Sequence, residues 1–195
     1  AISVHAVDVD GDGDMDVLSA SFNDGKIAWY EQDGHPIRSW YVSTDGSDDN
    51  DGSEANPFAT IQHGIAESSD GDTVLVSAGT YLESISISGS RVLISESGPD
   101  STTIDVYNPD NYGSSIYCSG GKPNISGFTI TGGRGDNDNL GGGITVSSMV
   151  DSLTLTEMVF VNNGVDVYES YASNGLESVV QINNCTFIHD NSGPT

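Results

Sequence analysis

Basic residues are scarce in this chain of 195 residues. Five Lys and Arg stand against 29 Asp and Glu, so the formal net charge at pH 7 is -24. Nucleic acids and anionic membrane surfaces are bound through clusters of Lys and Arg. We therefore expect no nucleic-acid partner, and we expect surroundings in which salt or divalent cations screen the repulsion among the carboxylates.

Cysteines and long apolar runs are also rare. The two cysteines, Cys118 and Cys185, provide neither a disulfide framework nor a zinc site. We expect both to be small buried side chains. No apolar run approaches the roughly 18 residues of a membrane helix, so no membrane insertion is expected. The abundant polar residues are Gly, Ser, Thr, Asn and Asp, which favour turns and strands over disorder.

Aspartates, by contrast, are concentrated in an acidic loop over residues 8–16. Its carboxylates alternate with other residues, and a glycine occupies its sixth position. Calcium takes about six to eight oxygen ligands from a tightly wound loop, so the spacing predicts a calcium site. An EF-hand needs Glu at position twelve, where this chain has Ser19. The predicted side-chain ligands are Asp8, Asp10, Asp12 and Asp16, and Asp14 is expected to offer its backbone carbonyl.

Strand patterns follow this loop at residues 17–22 and 26–30, around the turn Asn23-Asp24-Gly25. Residues 4–34 resemble one repeat of the VCBS/FG-GAP type, and the resemblance implies calcium as the bound ion. A propeller built from such repeats needs several blades, whereas one is present here. We therefore expect residues 1–39 to form a hairpin domain that either packs on the next domain or belongs to a longer protein.

A second domain is predicted over residues 40–195, beginning with a short amphipathic helix near residues 57–68. Asn56 is a suitable N-cap and Pro57 a suitable first helical residue. Phe58, Ile61 and Ile65 follow at helical spacing, which gives the helix one apolar face.

An ordered string of residues surrounds this helix. It resembles the opening region of pectate-lyase-like right-handed parallel β-helices, and the resemblance implies that the helix caps the N-terminal end of the coil. The matching residues are Tyr41-Val42, Asp45-Gly46, Asn50, Gly52, Pro57-Phe58, Thr60-Ile61-Gln62, Gly71-Asp72-Thr73-Val74 and Gly79-Thr80-Tyr81.

The rest of the chain repeats one frame, in which a second apolar residue follows the first after five positions and a Gly or Asn corner comes next. The pairs are Ile125 and Ile130, Leu155 and Phe160, and Ile182 and Phe187. Such periods are typical of stacked coils, although a β-sandwich of hairpins is the competing fold. We therefore predict an all-β protein: a right-handed parallel β-helix with a capping helix, preceded by a β-hairpin that carries an Asp-rich calcium loop.

Candidate residues for catalysis follow from the same resemblance. Pectate-lyase-like proteins often cleave acidic polysaccharides with calcium and a Lys or Arg base, and the resemblance leaves Lys122 and Arg134 as candidates for that base. The loop at residues 132–139 combines Arg134 with Asp136 and Asp138, although such a loop is also consistent with a solvated corner. A polyuronate would meet a strongly anionic surface, and paired carboxylates of the glycosidase kind cannot be assigned from the sequence.

The favoured interpretation is a secreted or cell-surface structural or carbohydrate-adhesion protein that binds calcium. The alternative is a polysaccharide lyase or glycoside hydrolase, or a fragment of one. The chain ends after a repeat without a capping element, and its N-terminal hairpin lacks a larger sheet. These features predict head-to-tail assembly with copies of itself; the competing explanation is that the chain is a piece of a larger secreted protein. Five tyrosines are candidates for stacking on sugar rings or for ordinary packing: Tyr107, Tyr112, Tyr117, Tyr168 and Tyr171.

Overall fold

The computed structural model describes residues 3–7, 9, 15–21, 25–30, 36–106, 113–134, 142–169 and 179–189. The chain divides into two compact units, residues 1–37 and residues 38–195.

The first unit is a three-stranded antiparallel sheet with the strand order β1-β2-β3. Its strands are β1 (Ser3–Val7), β2 (Asp16–Ala20) and β3 (Ile27–Tyr30). The pairing of Val7 with Asp16 closes the acidic loop between the first two strands. The predicted N-terminal hairpin is therefore confirmed as a strand arrangement.

The second unit winds through three parallel sheets, and after its first strand successive strands visit these sheets in turn. Sheet I contains β4 (Ser39–Val42), β5 (Thr73–Val76), β8 (Val92–Ser95), β11 (Asn124–Ser126), β14 (Ser152–Thr156) and β17 (Val179–Asn183). Sheet II contains β6 (Gly79–Tyr81), β9 (Thr102–Asp105), β12 (Thr129–Thr131), β15 (Val159–Val161) and β18 (Thr186–Ile188). Sheet III contains β7 (Ile85–Ser88), β10 (Ile116–Ser119), β13 (Ile144–Val146) and β16 (Val167–Glu169). The predicted parallel β-helix is confirmed.

The register of the sheets follows the repeat frame of the sequence. In sheet I, Ile125 pairs with Leu155, which pairs with Ile182. In sheet II, Ile130, Phe160 and Phe187 form the equivalent column, and the last two rings stack with centroids 5.0 Å apart. These columns point into the coil. Their members Ile125, Ile130, Leu155 and Phe160 belong to a continuous apolar core, whereas Ile182 and Phe187 in the last described coil are exposed.

The predicted corners and buried cysteines agree with the structure in part. Asn162 and Asn184 have φ values of 51° and 52°, the left-handed conformation that Asn tolerates at tight corners. Cys118 is buried, and its burial raises the pKa of the thiol to about 12. Cys185 is only half-buried, since it lies in the last described coil.

The helix α1 (Ile61–Glu67) begins later than predicted, and its N-cap is Thr60 rather than Asn56. Propensity at residues 56–58 is overridden by long-range pairing: the Phe58 backbone hydrogen-bonds to β4. A residue whose N–H and carbonyl are both used in that way cannot join the helical ladder.

Side chains from the first coil hold α1 at both ends. The Glu83 carboxylate accepts hydrogen bonds from the Ile61 and Gln62 N–H groups at 2.8 and 2.9 Å, which satisfies two donors of the first helical turn. At the other end, the Arg91 guanidinium donates to the Ser68 carbonyl at 2.9 Å. The helix is therefore fixed across the opening of the coil by tertiary contacts rather than by propensity.

Exposed strand edges at this end of the coil are used within the chain. The Gln62 side chain accepts a hydrogen bond from the Ser86 N–H at 2.7 Å and donates to the Ser86 carbonyl at 3.4 Å. In sheet I, the Tyr41 N–H donates to the Gly52 carbonyl at 2.9 Å. Both β7 and β4 thus receive hydrogen bonds where another strand would otherwise pair.

Candidate functional site

The outer face of sheet III carries an aromatic and hydroxyl column. Ser86, Tyr117, Thr145 and Tyr168 are neighbours in register on β7, β10, β13 and β16. Tyr117 is 41% exposed, and Tyr168 is half-buried. Adjacent strands lie about 4.8 Å apart, so the two tyrosines are separated by about 10 Å along the coil axis. We call this column, together with Ser88 and Ser119 beside it, the tyrosine face.

The tyrosine face is neutral although the chain is strongly acidic. Its six outward positions carry two phenols and four aliphatic hydroxyl groups. Each hydroxyl both donates and accepts hydrogen bonds, and each ring offers a flat apolar surface. The arrangement suits a flat, neutral, polyhydroxylated ligand better than an ionic one.

A carboxylate–imidazole pair lies where sheet II turns into sheet III. The His189 Nε2 atom lies 2.8 Å from Asp166 Oδ2, and the exposed fractions of the two side chains are 52% and 12%. The buried Asn163 side chain donates to the other Asp166 oxygen at 3.3 Å and to the Ile130 carbonyl at 3.0 Å. Its own oxygen accepts a hydrogen bond from the Gly133 N–H at 3.1 Å.

Sequence reasoning missed this pair, because Asp166 and His189 are 23 positions apart and share no local motif. The repeat frame contained a usable signal. Since Ile188 pairs with Val161, the residue after Ile188 must lie one coil above the corner that begins at Asn162.

The predicted catalytic residues fall at different places. Lys122 is exposed at the corner where sheet III turns into sheet I, and its N–H donates to Ser90 Oγ at 3.1 Å. Arg134 lies at the corner between sheets II and III, where its backbone pairs with Gly113. The two cations therefore occupy opposite ends of the sheet III strands. Asp136 and Asp138 lie outside the described residues.

The acidic loop is described only at its end. Asp8, Asp10, Asp12 and Asp14 lie outside the described residues. Asp16 is fully buried at the start of β2, and its Oδ2 accepts a hydrogen bond from the Val9 N–H at 2.9 Å across the loop. Among the residues with described positions, no group of three or more His, Cys, Asp or Glu side chains is arranged to hold a metal ion.

Hydrogen bonds with structural roles account for several carboxylates near the helix. Burial raises the pKa of Asp48, but hydrogen bonds from Thr60 and Ala59 and the charge of His63 outweigh it, so its pKa is lowered overall. Burial also raises the pKa of Glu83, and the negative charge of Asp48 adds to that rise against the hydrogen bonds from the helix. These two carboxylates hold the cap together and are not candidates for a site.

A family comparison concerns this capping region. Residues 44–87 match the family described as "Protein of unknown function (DUF1565)". The uncharacterized protein YwoF of Bacillus subtilis (strain 168) is 35% identical over 71 residues, which are 36% of this chain and 14% of that protein. A rhamnogalacturonan lyase structure shares 14% identity with a TM-score of 0.47, over 78% of this chain and 53% of that one. This chain thus spans less than two thirds of either protein's length.

The family match coincides with residues that build the cap and the first coil. It contains α1, β5, β6 and most of β7. It also contains Gly52, where an added Cβ would lie 2.3 Å from the Phe58 ring, and Asp72, which is fully buried and accepts three hydrogen bonds. The matched segment therefore contains residues with structural roles, and it covers the part of the chain where the coil begins. No helix in the described parts of the chain is long and apolar enough to cross a membrane.

Proposed function

We propose that the second unit binds a neutral polysaccharide on the tyrosine face and serves an extracellular structural or adhesion role. The observation that supports this proposal is the outward register of Tyr117 and Tyr168, with Thr145 between them. Stacking a sugar ring on each phenol removes apolar surface from water at about 25 cal/mol per Å². The adjacent hydroxyl groups supply the few polar contacts that orient a ligand.

Charge determines which polysaccharide is expected. A polyuronate would approach a chain of net charge -24, and the tyrosine face offers it no cation. A neutral glycan meets no such repulsion, and its hydroxyl groups match those of Ser86 and Thr145. The proposal therefore specifies uncharged glycans.

Affinity electrophoresis of the native protein tests this proposal, using gels that contain either a neutral xylan or polygalacturonate. We expect retardation in the neutral gel, and a loss of about tenfold in affinity, or about 1.4 kcal/mol, for Tyr117→Ala and for Tyr168→Ala. Tyr30→Ala is the matched control, because Tyr30 is 61% exposed in the first unit. Retardation only in polygalacturonate, or equal retardation of all variants, would contradict the proposal.

We also propose that the first unit binds calcium through its acidic loop. The support is Asp16, a buried carboxylate at the point where the β1–β2 pairing closes the loop. Oxygen donors of this kind suit calcium. Together with Asp8, Asp10, Asp12 and Asp14, it would hold the ion and offset part of the repulsion among these carboxylates.

Titration calorimetry with calcium tests this second proposal. We expect saturable binding to the wild-type chain and a loss of at least tenfold in affinity for Asp16→Asn. Asp45→Asn is the control, since Asp45 is exposed and outside the loop. Equal calcium affinity for both variants would refute the role of Asp16.

Head-to-tail assembly remains a proposal, with one structural condition. The edges of β4 and β7 are already hydrogen-bonded within the chain, so a second copy cannot extend these sheets without displacing the cap. At the other end, the inward residues Ile182 and Phe187 are 47% and 44% exposed. A copy would therefore have to meet that end through side-chain packing or through its first unit.

A further inference from the structure

We propose that Asp166 and His189 form a proton-transfer site that hydrolyses ester-linked acyl groups on the glycan bound at the tyrosine face. This inference rests on the proposed function for its glycan but on separate residues for its chemistry. His189 is the catalytic residue in this proposal, and Asp166 and Asn163 are positioning residues.

The two side chains of the pair differ in their exposure to water. A surface ion pair leaves both groups in water, whereas here the carboxylate is 12% exposed and the imidazole 52%. A carboxylate that is largely withdrawn from water, beside an accessible imidazole, is the arrangement that orients a histidine base. Asp166 is itself held by the Asn163 side chain at 3.3 Å, so the orientation continues into the core of the corner.

The carboxylate of Asp166 determines the tautomer of His189. Its contact with Asp166 uses Nε2, and a carboxylate accepts but does not donate. The proton of the neutral imidazole therefore resides on Nε2, and Nδ1 is left as a hydrogen-bond acceptor. Within the described part of the chain, Asp166 is the polar partner of this ring, so Nδ1 is placed to accept a proton from water.

The pair lies close to the tyrosine face along the chain. Asp166 immediately precedes β16, and Tyr168 follows two positions later on the outer face of that strand. Two residues of an extended strand span about 7 Å, so the pair borders the tyrosine face. Asn163 also accepts a hydrogen bond from the N–H of Gly133, which precedes the candidate Arg134.

The chemistry of the pair selects the substrate. Glycosidic cleavage requires two carboxylates on either side of the bond, and elimination from a uronate requires an anionic polymer that this chain repels. A neutral glycan with O-acyl groups avoids both requirements. Water is the only co-reactant, and a single base suffices to activate it.

In the proposed step, Nδ1 of His189 takes a proton from water as the water oxygen forms a bond to the ester carbonyl carbon. The carbonyl π electrons move to its oxygen. When they return, the bond between the acyl carbon and the sugar oxygen breaks, and the imidazolium gives its proton to that sugar oxygen. The products are a carboxylic acid and a free sugar hydroxyl group.

Acetate release from acetylated xylan by the full chain tests the proposal, with 4-nitrophenyl acetate as a second substrate that does not need the glycan site. We expect His189→Gln to lower kcat about 100-fold on both substrates. Asp166→Asn should lower kcat about tenfold with little change in KM. His5→Gln is the matched control, since His5 is exposed on β1.

A second variant keeps the outcome clear if His189→Gln is poorly folded. In His189→Gly, added imidazole should restore activity above the protein-free rate measured at the same imidazole concentration, which a structural role would not allow. Acetate release equal in wild type and His189→Gln overturns the inference, as does a wild-type chain that binds the glycan and releases no acetate. Hydrolysis that needs His189 but is unaffected by Tyr117→Ala on acetylated xylan would instead count against the proposed glycan face alone.

Discussion

Replacement of Asp72 by alanine tests how the opening coil is held. This carboxylate is fully buried and accepts hydrogen bonds from the Arg38 N–H at 2.8 Å, the Trp40 Nε1–H at 2.9 Å and the Ser69 N–H at 2.9 Å. Asp72→Ala leaves three donors without this acceptor. A buried unsatisfied donor costs about 1–3 kcal/mol; because these donors are only partly buried, we take the lower end and expect a loss of about 3 kcal/mol.

Urea unfolding followed by tryptophan fluorescence measures this loss. Trp40 reports directly on the site, and a Trp29→Phe background removes the signal of the other tryptophan. Asp45→Ala is the matched control, because it removes one negative charge from an exposed position and should change stability by about 0.5 kcal/mol or less. A loss for Asp72→Ala as small as that of the control would refute the reasoning that buried acceptors at this corner secure β4.

Three further predictions concern the cap and assembly. Gly52→Ala should lower the melting temperature more than Gly98→Ala, because both glycines have positive φ but only at Gly52 would the new Cβ meet the Phe58 ring, at 2.3 Å. Burial raises the pKa of Glu83 above its ordinary value of 4.5. The folded chain therefore binds this proton more tightly than the unfolded chain, and the resulting stabilisation is present below pH 4.5 and lost as the pH rises through the folded-state pKa. The unfolding free energy of wild type minus that of Glu83→Gln should increase on acidification from neutral pH to about 4.5. Light scattering should show a molar mass that is larger in calcium than in chelator, and a monomer in both would refute head-to-tail assembly.

The repeat frame was predictable because it depends on the spacing of apolar and corner residues that are close together in the sequence. An apolar residue, a second one five positions later and a corner residue recur at each coil, and stacking then fixes that Ile125 meets Leu155 and that Ile130 meets Phe160. The start of α1 was not predictable in the same way. Asn56 favours a helix locally, but the Phe58 backbone pairs with β4. That strand comes close to Phe58 only in the folded protein.

In the candidate site, too, the residue types could be read from the sequence, whereas their contacts depend on how the coils stack. Tyr117 and Tyr168 were recognisable as aromatics, yet their shared column depends on Thr145 lying between them in register. Asp166 and His189 belong to successive coils, so they come into contact only because one coil stacks on the other. Residues that function through stacking are invisible to short motifs, although the repeat period restricts where they must lie.

The cap described above has a consequence for the order in which the chain folds. Its contacts are complete by Arg91: Glu83 reaches the helix, Gln62 reaches Ser86, and Arg91 reaches Ser68. A chain that emerges from the ribosome N-terminus first therefore finishes a closed platform before the later coils exist. Each following strand then pairs with one that is already folded, so the coil grows from its N-terminal end toward its C-terminal end.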